Sequence, residues 1–139
     1  MTTTHPFGDE HVRIYQESGG QEGYFWREGT EILLLTTTGR KSGGRRIMPL
    51  IYREIDGDYV IVASKGGTPD HPAWFKNLQA NPDDVEVQVR ADTFRVRPRV
   101  AEGAERERMW AAMNEVWPHY AEYQTRTERE IPVVVLERA

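Results

Sequence analysis

Arg46-Ile47-Met48-Pro49-Leu50-Ile51-Tyr52-Arg53-Glu54-Ile55-Asp56-Gly57-Asp58-Tyr59-Val60-Ile61-Val62-Ala63-Ser64 is the stretch that decides the fold. Two extended, apolar-rich runs flank Asp56-Gly57. An Asp-Gly pair suits the central positions of a type I′ turn, where both residues need positive φ. The stretch therefore reads as an antiparallel hairpin, Arg46 to Ile55 going out and Tyr59 to Ser64 returning. The return run is apolar enough to lie centrally in a sheet.

Upstream, Glu31 to Thr38 is a short apolar run rich in β-formers, a third strand. Asp9 to Ser18 reads as a short helix with Val12, Ile14 and Tyr15 as its apolar contacts, broken by Gly19-Gly20. Downstream, Asp70 is an expected N-cap for a helix that stops at Asn81-Pro82. Val85, Val87 and Val89 alternate with Glu86, Gln88 and Arg90, a half-exposed strand. Ala91-Asp92 turns the chain and Phe94 to Val100 pairs back. Ala104 to Val116 is a helix with Met109, Met113 and Val116 at helical spacing. Ile131–Leu136 is the last strand, with Pro132 acceptable near its start. Hairpin-joined strands of this order predict an α+β, mainly β fold. Its mostly antiparallel sheet of about six strands curls into a barrel with flanking helices.

At 139 residues the chain fits one domain. Residues 31–139 form the expected barrel, and residues 1–30 an N-terminal segment, helical or partly flexible. Hydrophobic content of 38% against 29% charged fits a globular protein rather than a disordered one. No apolar run is long enough to span a bilayer. The chain has no cysteine, which excludes disulfides, thiolate metal sites and a Cys nucleophile and is compatible with the cytoplasm. A weakly amphipathic N-terminal helix permits peripheral membrane contact without requiring it. His5, His11, His71 and His119 show no metal-ligand spacing, so no metal is expected.

Two Gly-rich basic loops stand out. Four of the seven residues from Arg40 to Arg46 are basic, in a chain of formal net charge −4. Arg40, Lys41, Ser42, Gly43 and Arg46 follow one strand; Ser64, Lys65 and Gly66 follow another, two strands on. Glycine lets backbone N–H groups approach an oxyanion, while arginine and lysine supply charged donors. The loops could converge on one phosphate, or be solvated turns with basic decoration. The Walker spacing is missing, so a nucleoside triphosphatase is not supported. The acidic remainder of the chain argues against nucleic acid, which would need a broad basic face. Trp74-Phe75 could stack on a planar ring or be core. His71 could act as acid, base or local cap. Trp117, Tyr120 and Tyr123 recur every three residues and form a stripe if the segment is helical, either a core seam or a polar pocket wall. Phosphate anchors, aromatics and hydroxyls without a nucleophile fit a cofactor enzyme.

The motifs Thr36-Thr37-Thr38-Gly39-Arg40-Lys41-Ser42-Gly43, Pro49-Leu50, Val62-Ala63-Ser64-Lys65-Gly66-Gly67, His71-Pro72-Ala73-Trp74-Phe75, Tyr120-x-x-Tyr123-Gln124 and Ile131-Pro132-Val133-Val134 closely resemble the deazaflavin-dependent nitroreductase family. The resemblance runs from about Ile32 to Glu137, in the family's order. It implies a split β-barrel of the flavin-reductase type. It also implies coenzyme F-420, an 8-hydroxy-5-deazaflavin with a phosphate and a polyglutamate tail, as hydride carrier. Carried over by position, Arg40, Lys41, Arg46 and Lys65 hold the phosphate and tail, with Ser42, Gly43 and Gly66 in the same loops. Pro49, Val62, Ala63 and Ser64 line the ring and Trp74 packs beside it. Tyr120, Tyr123 and Ser64 are the expected catalytic groups.

The implied acceptor is a quinone, an activated alkene (enone) or a nitroaromatic compound. Trp117 and Ile51 stand where the best-known nitroreductase member has tyrosines. Both changes remove hydroxyls, favouring a quinone or enone over a bicyclic nitroimidazole. Alternatives are an FMN-dependent reductase or oxidase of the same barrel type, a non-catalytic deazaflavin-binding protein and, last, a small nucleic-acid-binding barrel. By family analogy, such barrels pair as homodimers.

Overall fold

The computed structural model describes residues 8–139, so residues 1–7 of the expected N-terminal segment, with His5, lie outside the described residues. In chain order the elements are α1 (Gly8–Ser18), β1 (Glu31–Thr38), β2 (Arg45–Ile55), β3 (Asp58–Val62), α2 (Ala73–Ala80), β4 (Val85–Val89), β5 (Asp92–Val100), α3 (Gly103–Val116), α4 (His119–Thr125) and β6 (Val133–Arg138). Short 3-10 turns occupy Arg27–Gly29 and Lys65–Gly67. The six strands close into one antiparallel barrel in the order β1-β2-β3-β6-β5-β4, as the hairpin pattern predicts. Asp56 and Gly57 both take positive φ, 54° and 87°, so the turn that anchors the reading is formed as expected.

The barrel is not paired evenly. β2 follows β1 along its length, from Glu31↔Tyr52 to Thr38↔Arg45. It meets β3 only at Arg53↔Val60, Glu54↔Tyr59 and Ile55↔Asp58. Beyond Val60, β3 continues along β6, with Ile61↔Val134 and Val62↔Val133. The first half of β2 and the end of β3 therefore part, and the barrel is split between them. Pro49 sits in this part of β2, where a residue without an N–H leaves no donor unpaired.

Burial follows sequence period. Leu33, Leu34 and Leu35 of β1 and Val134, Val135 and Leu136 of β6 are almost fully buried, as strands covered on both faces must be. A second apolar cluster joins Val60, Val62, Met109, Met113, Trp117 and Tyr120, packing α3 and α4 outside the barrel wall.

Three local expectations change. α2 begins after Pro72, whose carbonyl accepts from Phe75 and Lys76 N–H, so Asp70 is not its cap. β6 starts at Val133 rather than Ile131: the Pro132 carbonyl accepts from the Ala63 amide, but proline has no N–H to return the bond. The β4–β5 turn lies at Arg90-Ala91, one residue earlier than expected, with Arg90 at φ 55°. Its position is set by α1. The Arg90 amide donates to the Tyr15 hydroxyl at 2.7 Å, and Gly20 packs so closely that a Cβ there would lie 2.3 Å from the Arg90 Cα.

Tyr15 fastens α1 to the barrel. Its ring is fully buried, and its hydroxyl donates to the Ile32 carbonyl at 3.0 Å. Burial pushes the phenol up to about 12, so it stays a neutral donor. Among the described residues, no helix is long and apolar enough to cross a membrane. Replacing Tyr15 by Phe strands the Arg90 amide and the Ile32 carbonyl. The expected loss is about 1–3 kcal/mol, read from urea unfolding midpoints. An unchanged midpoint would show that α1 is not fastened this way.

Candidate functional site

β1 and β3 both run antiparallel to β2, so their C-terminal ends lie at the same end of the barrel. The two Gly-rich loops that follow them therefore meet. Arg40, Lys41, Ser42, Arg46 and Lys65 line one groove of about 1170 Å³, floored by Leu50, Val62 and Trp74. A smaller cavity of about 330 Å³ adjoins it, lined by Pro49, Ile51, Gly66, Trp117, Tyr120 and Tyr123 among others. Met48, Leu50, Val62 and Ser64 border both spaces. These four residues lie on the parted halves of β2 and β3 and just beyond, so the split in the barrel is one cleft with two lobes.

Two predicted residues lie off the lining. Ala63 is fully buried, with its N–H on the Pro132 carbonyl. Gly43 shapes the first loop instead. It adopts φ 72° and donates to the Gly39 carbonyl at 2.9 Å, while Ser42 Oγ accepts from Gly44 N at 3.2 Å.

The basic residues divide by partner. Arg45 is neutralised by Asp84 at 3.1 Å. The Thr38 hydroxyl on Asp84 and the nearby guanidiniums hold that carboxyl below its usual range. Arg40 points its guanidinium at Asn77 Oδ1, 2.9 Å away. Lys41, Arg46 and Lys65 make no side-chain hydrogen bond or ion pair among the described residues, although they share the groove. Like charges left together without counter-ions repel, and a bound anion relieves that cost.

The smaller lobe is apolar and aromatic with hydroxyls at its wall. Tyr120 is 4% exposed, and burial drives its phenol well above the ordinary tyrosine range, so it is a neutral donor at any working pH. Its hydroxyl has no hydrogen-bond partner among the described residues, and the side chain lines the cavity. The Tyr123 hydroxyl accepts from Trp117 Nε1 at 3.4 Å, and Trp26 packs on Trp117 with ring centres 5.7 Å apart. The three-residue stripe thus faces a pocket as well as the core.

Sequence patterns missed several lining residues. α1 contributes Val12, Arg13, Gln16 and Glu17 to the larger lobe and His11 to the smaller. Only their placement by Tyr15, across the barrel, brings them there. His71 is neither cap nor free base. Its Nδ1 accepts from Arg129 at 3.1 Å, because a guanidinium can only donate. Burial, and then Arg129 and Lys76, lower the His71 pKa.

Gly67 ties the two lobes together: a Cβ at its position would lie 2.3 Å from the Tyr123 carbonyl oxygen. That distance excludes any side chain without a shift of α4. Two outcomes are expected. Gly67→Ala destabilises the fold and displaces α4, read as a lower thermal midpoint with altered near-ultraviolet circular dichroism from Tyr120 and Tyr123. For His71, the folded pKa lies below the unfolded value of 6.5. Its contribution to stability is therefore present above about pH 6.5 and lost as pH falls below it. Urea midpoints should drop between about pH 7 and pH 5, and less steeply in His71→Gln.

Comparison with known proteins gives a consistent picture. A family model described as F420H(2)-dependent quinone reductase matches residues 8–138. An F420H(2)-dependent quinone reductase of Mycobacterium tuberculosis (strain ATCC 25618 / H37Rv) is 44% identical over 132 residues, covering 92% of this chain and 87% of its own. A solved structure of an F420-H2 dependent reductase (FDR-A) is 50% identical, covering 76% of this chain and 93% of its own, at a TM-score of 0.69. A further solved chain, described as a domain-swapped dimer, is 44% identical, with 92% and 95% covered and a TM-score of 0.72.

Proposed function

The chain belongs to the F420H(2)-dependent quinone reductase family, and on that premise we propose that it reduces a quinone to its hydroquinone with reduced coenzyme F-420. The observation that carries this reading is the cleft itself. Three unpartnered cations line its larger lobe, and Tyr120, a largely buried side chain whose hydroxyl has no hydrogen-bond partner among the described residues, lines the adjoining one. Lys41, Arg46 and Lys65 fit the coenzyme's phosphate and carboxylate tail, with Arg40 held nearby by Asn77. Val62, Leu50 and Trp74 offer the apolar surface a flat ring needs. Bound there, the reduced deazaflavin supplies a hydride. Both the family model and the named Mycobacterium relative carry F420H(2) in their descriptions, and neither names FMN.

The chain's own residues then have defined tasks. Ser64 sits at the border of both lobes, within reach of either occupant. Tyr120 donates a hydrogen bond to the acceptor oxygen where negative charge grows. Protonation of that oxygen follows directly from it or through water. Tyr123, fixed by Trp117, shapes the same wall. Trp26, Ile51 and Trp117 keep the smaller lobe apolar, which favours a flat quinone ring. Enones and nitroaromatic compounds offer the same electrophilic character and form a secondary acceptor class. The domain-swapped relative supports pairing of this chain as a homodimer.

Oxidation of reduced coenzyme F-420 by menadione, followed by the coenzyme's absorbance, tests the activity. No oxidation across a quinone, enone and nitroaromatic panel would leave binding without turnover, and the enzymatic reading would fall. Lys41→Ala with Lys65→Ala should weaken coenzyme binding about tenfold or more, as loss of charge-assisted contacts worth about 1.5 kcal/mol or more requires. The menadione KM should change little. Tyr120→Phe should lower kcat about a hundredfold, in the range of a lost proton-donating group, while coenzyme affinity holds.

A further inference from the structure

The loop that carries Lys65 is held in a costly conformation. Lys65, Gly66 and Gly67 are three successive residues with positive φ, 45°, 64° and 81°. Such a run is unfavourable for L-residues, above all at Lys65, and persists only where the surroundings over-determine it. Within the loop only two main-chain bonds are available, Gly67 N to the Ser64 carbonyl at 2.9 Å and Thr68 N to the Lys65 carbonyl at 3.3 Å.

One side chain supplies the rest. Arg129 Nε donates to the Thr68 carbonyl at 2.9 Å, Nη1 to the Ala63 carbonyl at 3.2 Å, and Nη2 to the Ser64 carbonyl at 2.7 Å. Nη1 also reaches His71 Nδ1 at 3.1 Å. The planar fork thus grips both ends of the loop from beneath. All its partners among the described residues are carbonyls and the His71 ring, so its donors serve the backbone rather than an acid. Arg129 is itself fixed by α4. Gln124 Nε2 donates to the Arg129 carbonyl at 2.7 Å, and Gln124 Oε1 accepts from Ile131 N at 2.9 Å. Gln124 follows Tyr123, whose carbonyl abuts Gly67.

We propose that Arg129, itself seated by Gln124, is the positioning residue that presents Ser64 and Lys65 to the coenzyme. The proposal rests on the coenzyme reading of the larger lobe. Arg129 lines neither lobe itself and reaches them only through main-chain contacts, of which the one to the Ser64 carbonyl is on a residue bordering both. It acts through the Ala63–Thr68 backbone, and lysine cannot replace it, because one ammonium cannot span three carbonyls set apart along the loop.

Two measurements test it. The first is a double-mutant cycle on the affinity of reduced coenzyme F-420. Arg129→Met should weaken binding about tenfold, and Arg129→Lys nearly as much. In a Lys65→Ala background the same changes should cost less than about threefold, since groups that act through one another are not additive. The second needs no ligand. Amide hydrogen exchange at Gly67 and Thr68 should quicken in Arg129→Met, while exchange in β1 and β6 stays as in the unaltered protein.

Equal losses in both backgrounds, or unchanged exchange at Gly67 and Thr68, would overturn the proposal. If Arg129→Met does not fold, Arg129→Lys, which keeps the charge and at least one contact, is read by the same two measurements. If the unaltered protein binds no reduced coenzyme, the functional reading fails, and the exchange data still decide what Arg129 does.

Discussion

The structure depends on the parting of β2 from β3. A closed barrel with every strand paired has no room for a ligand at this size, because side chains fill it. Here the ladder between β2 and β3 stops after three residue pairs. β2 stays with β1 and β3 with β6, so each keeps one satisfied edge while the space between them opens. Both lobes of the cleft are bordered by these two strands. The lobes are adjacent because they are two stretches of one seam, and whatever occupies one meets whatever occupies the other.

Charge is distributed to match. The first loop carries four basic residues, but the fold neutralises Arg45 with Asp84 and turns Arg40 toward Asn77. Lys41 and Arg46 remain, and Lys65 joins them from the second loop. Half of the basic loop is therefore structural, Arg45 clamping the end of β1 to the turn before β4 and Arg40 reaching α2, and half is left for an anion. The wall from α1 carries Asp9 beside an Arg13–Glu17 ion pair at 3.1 Å and is net negative. An anionic group is thus drawn to one side of the groove only.

Much of this was legible in the sequence, for physical reasons that differ by element. Asp56-Gly57 announces its turn because few other pairs tolerate two positive φ values, and the alternation in Val85–Val89 announces a half-exposed strand. Tyr120 and Tyr123 could be read as one face because a helical turn brings residues three apart together, whereas Trp117 joins them from the break between α3 and α4. What could not be read depends on contacts distant in the chain. Arg45 and Asp84, Arg129 and Ser64, and Tyr15 and Arg90 are joined only after the barrel closes. Asp70 had the right chemistry for a cap, but Pro72 placed the helix start beyond its reach. Ala63 sits within a lining motif yet points its backbone into the β6 pairing, so its neighbours Val62 and Ser64 face the cleft instead.

β6 has a consequence for how the chain acquires its shape. It lies between β3 and β5, and both pairings join segments far apart along the polypeptide, as at Tyr59↔Leu136. Until β6 arrives, the hairpins β2–β3 and β4–β5 can form locally, but β3 and β5 each keep a bare, aggregation-prone edge. Barrels built on such distant pairings fold slowly, because loop closure must precede the contacts that reward it. The residues of β6 are Val133-Val134-Val135-Leu136-Glu137-Arg138, apolar and then charged. Its apolar first half matches a place between two strands, and its charged end lies at the rim.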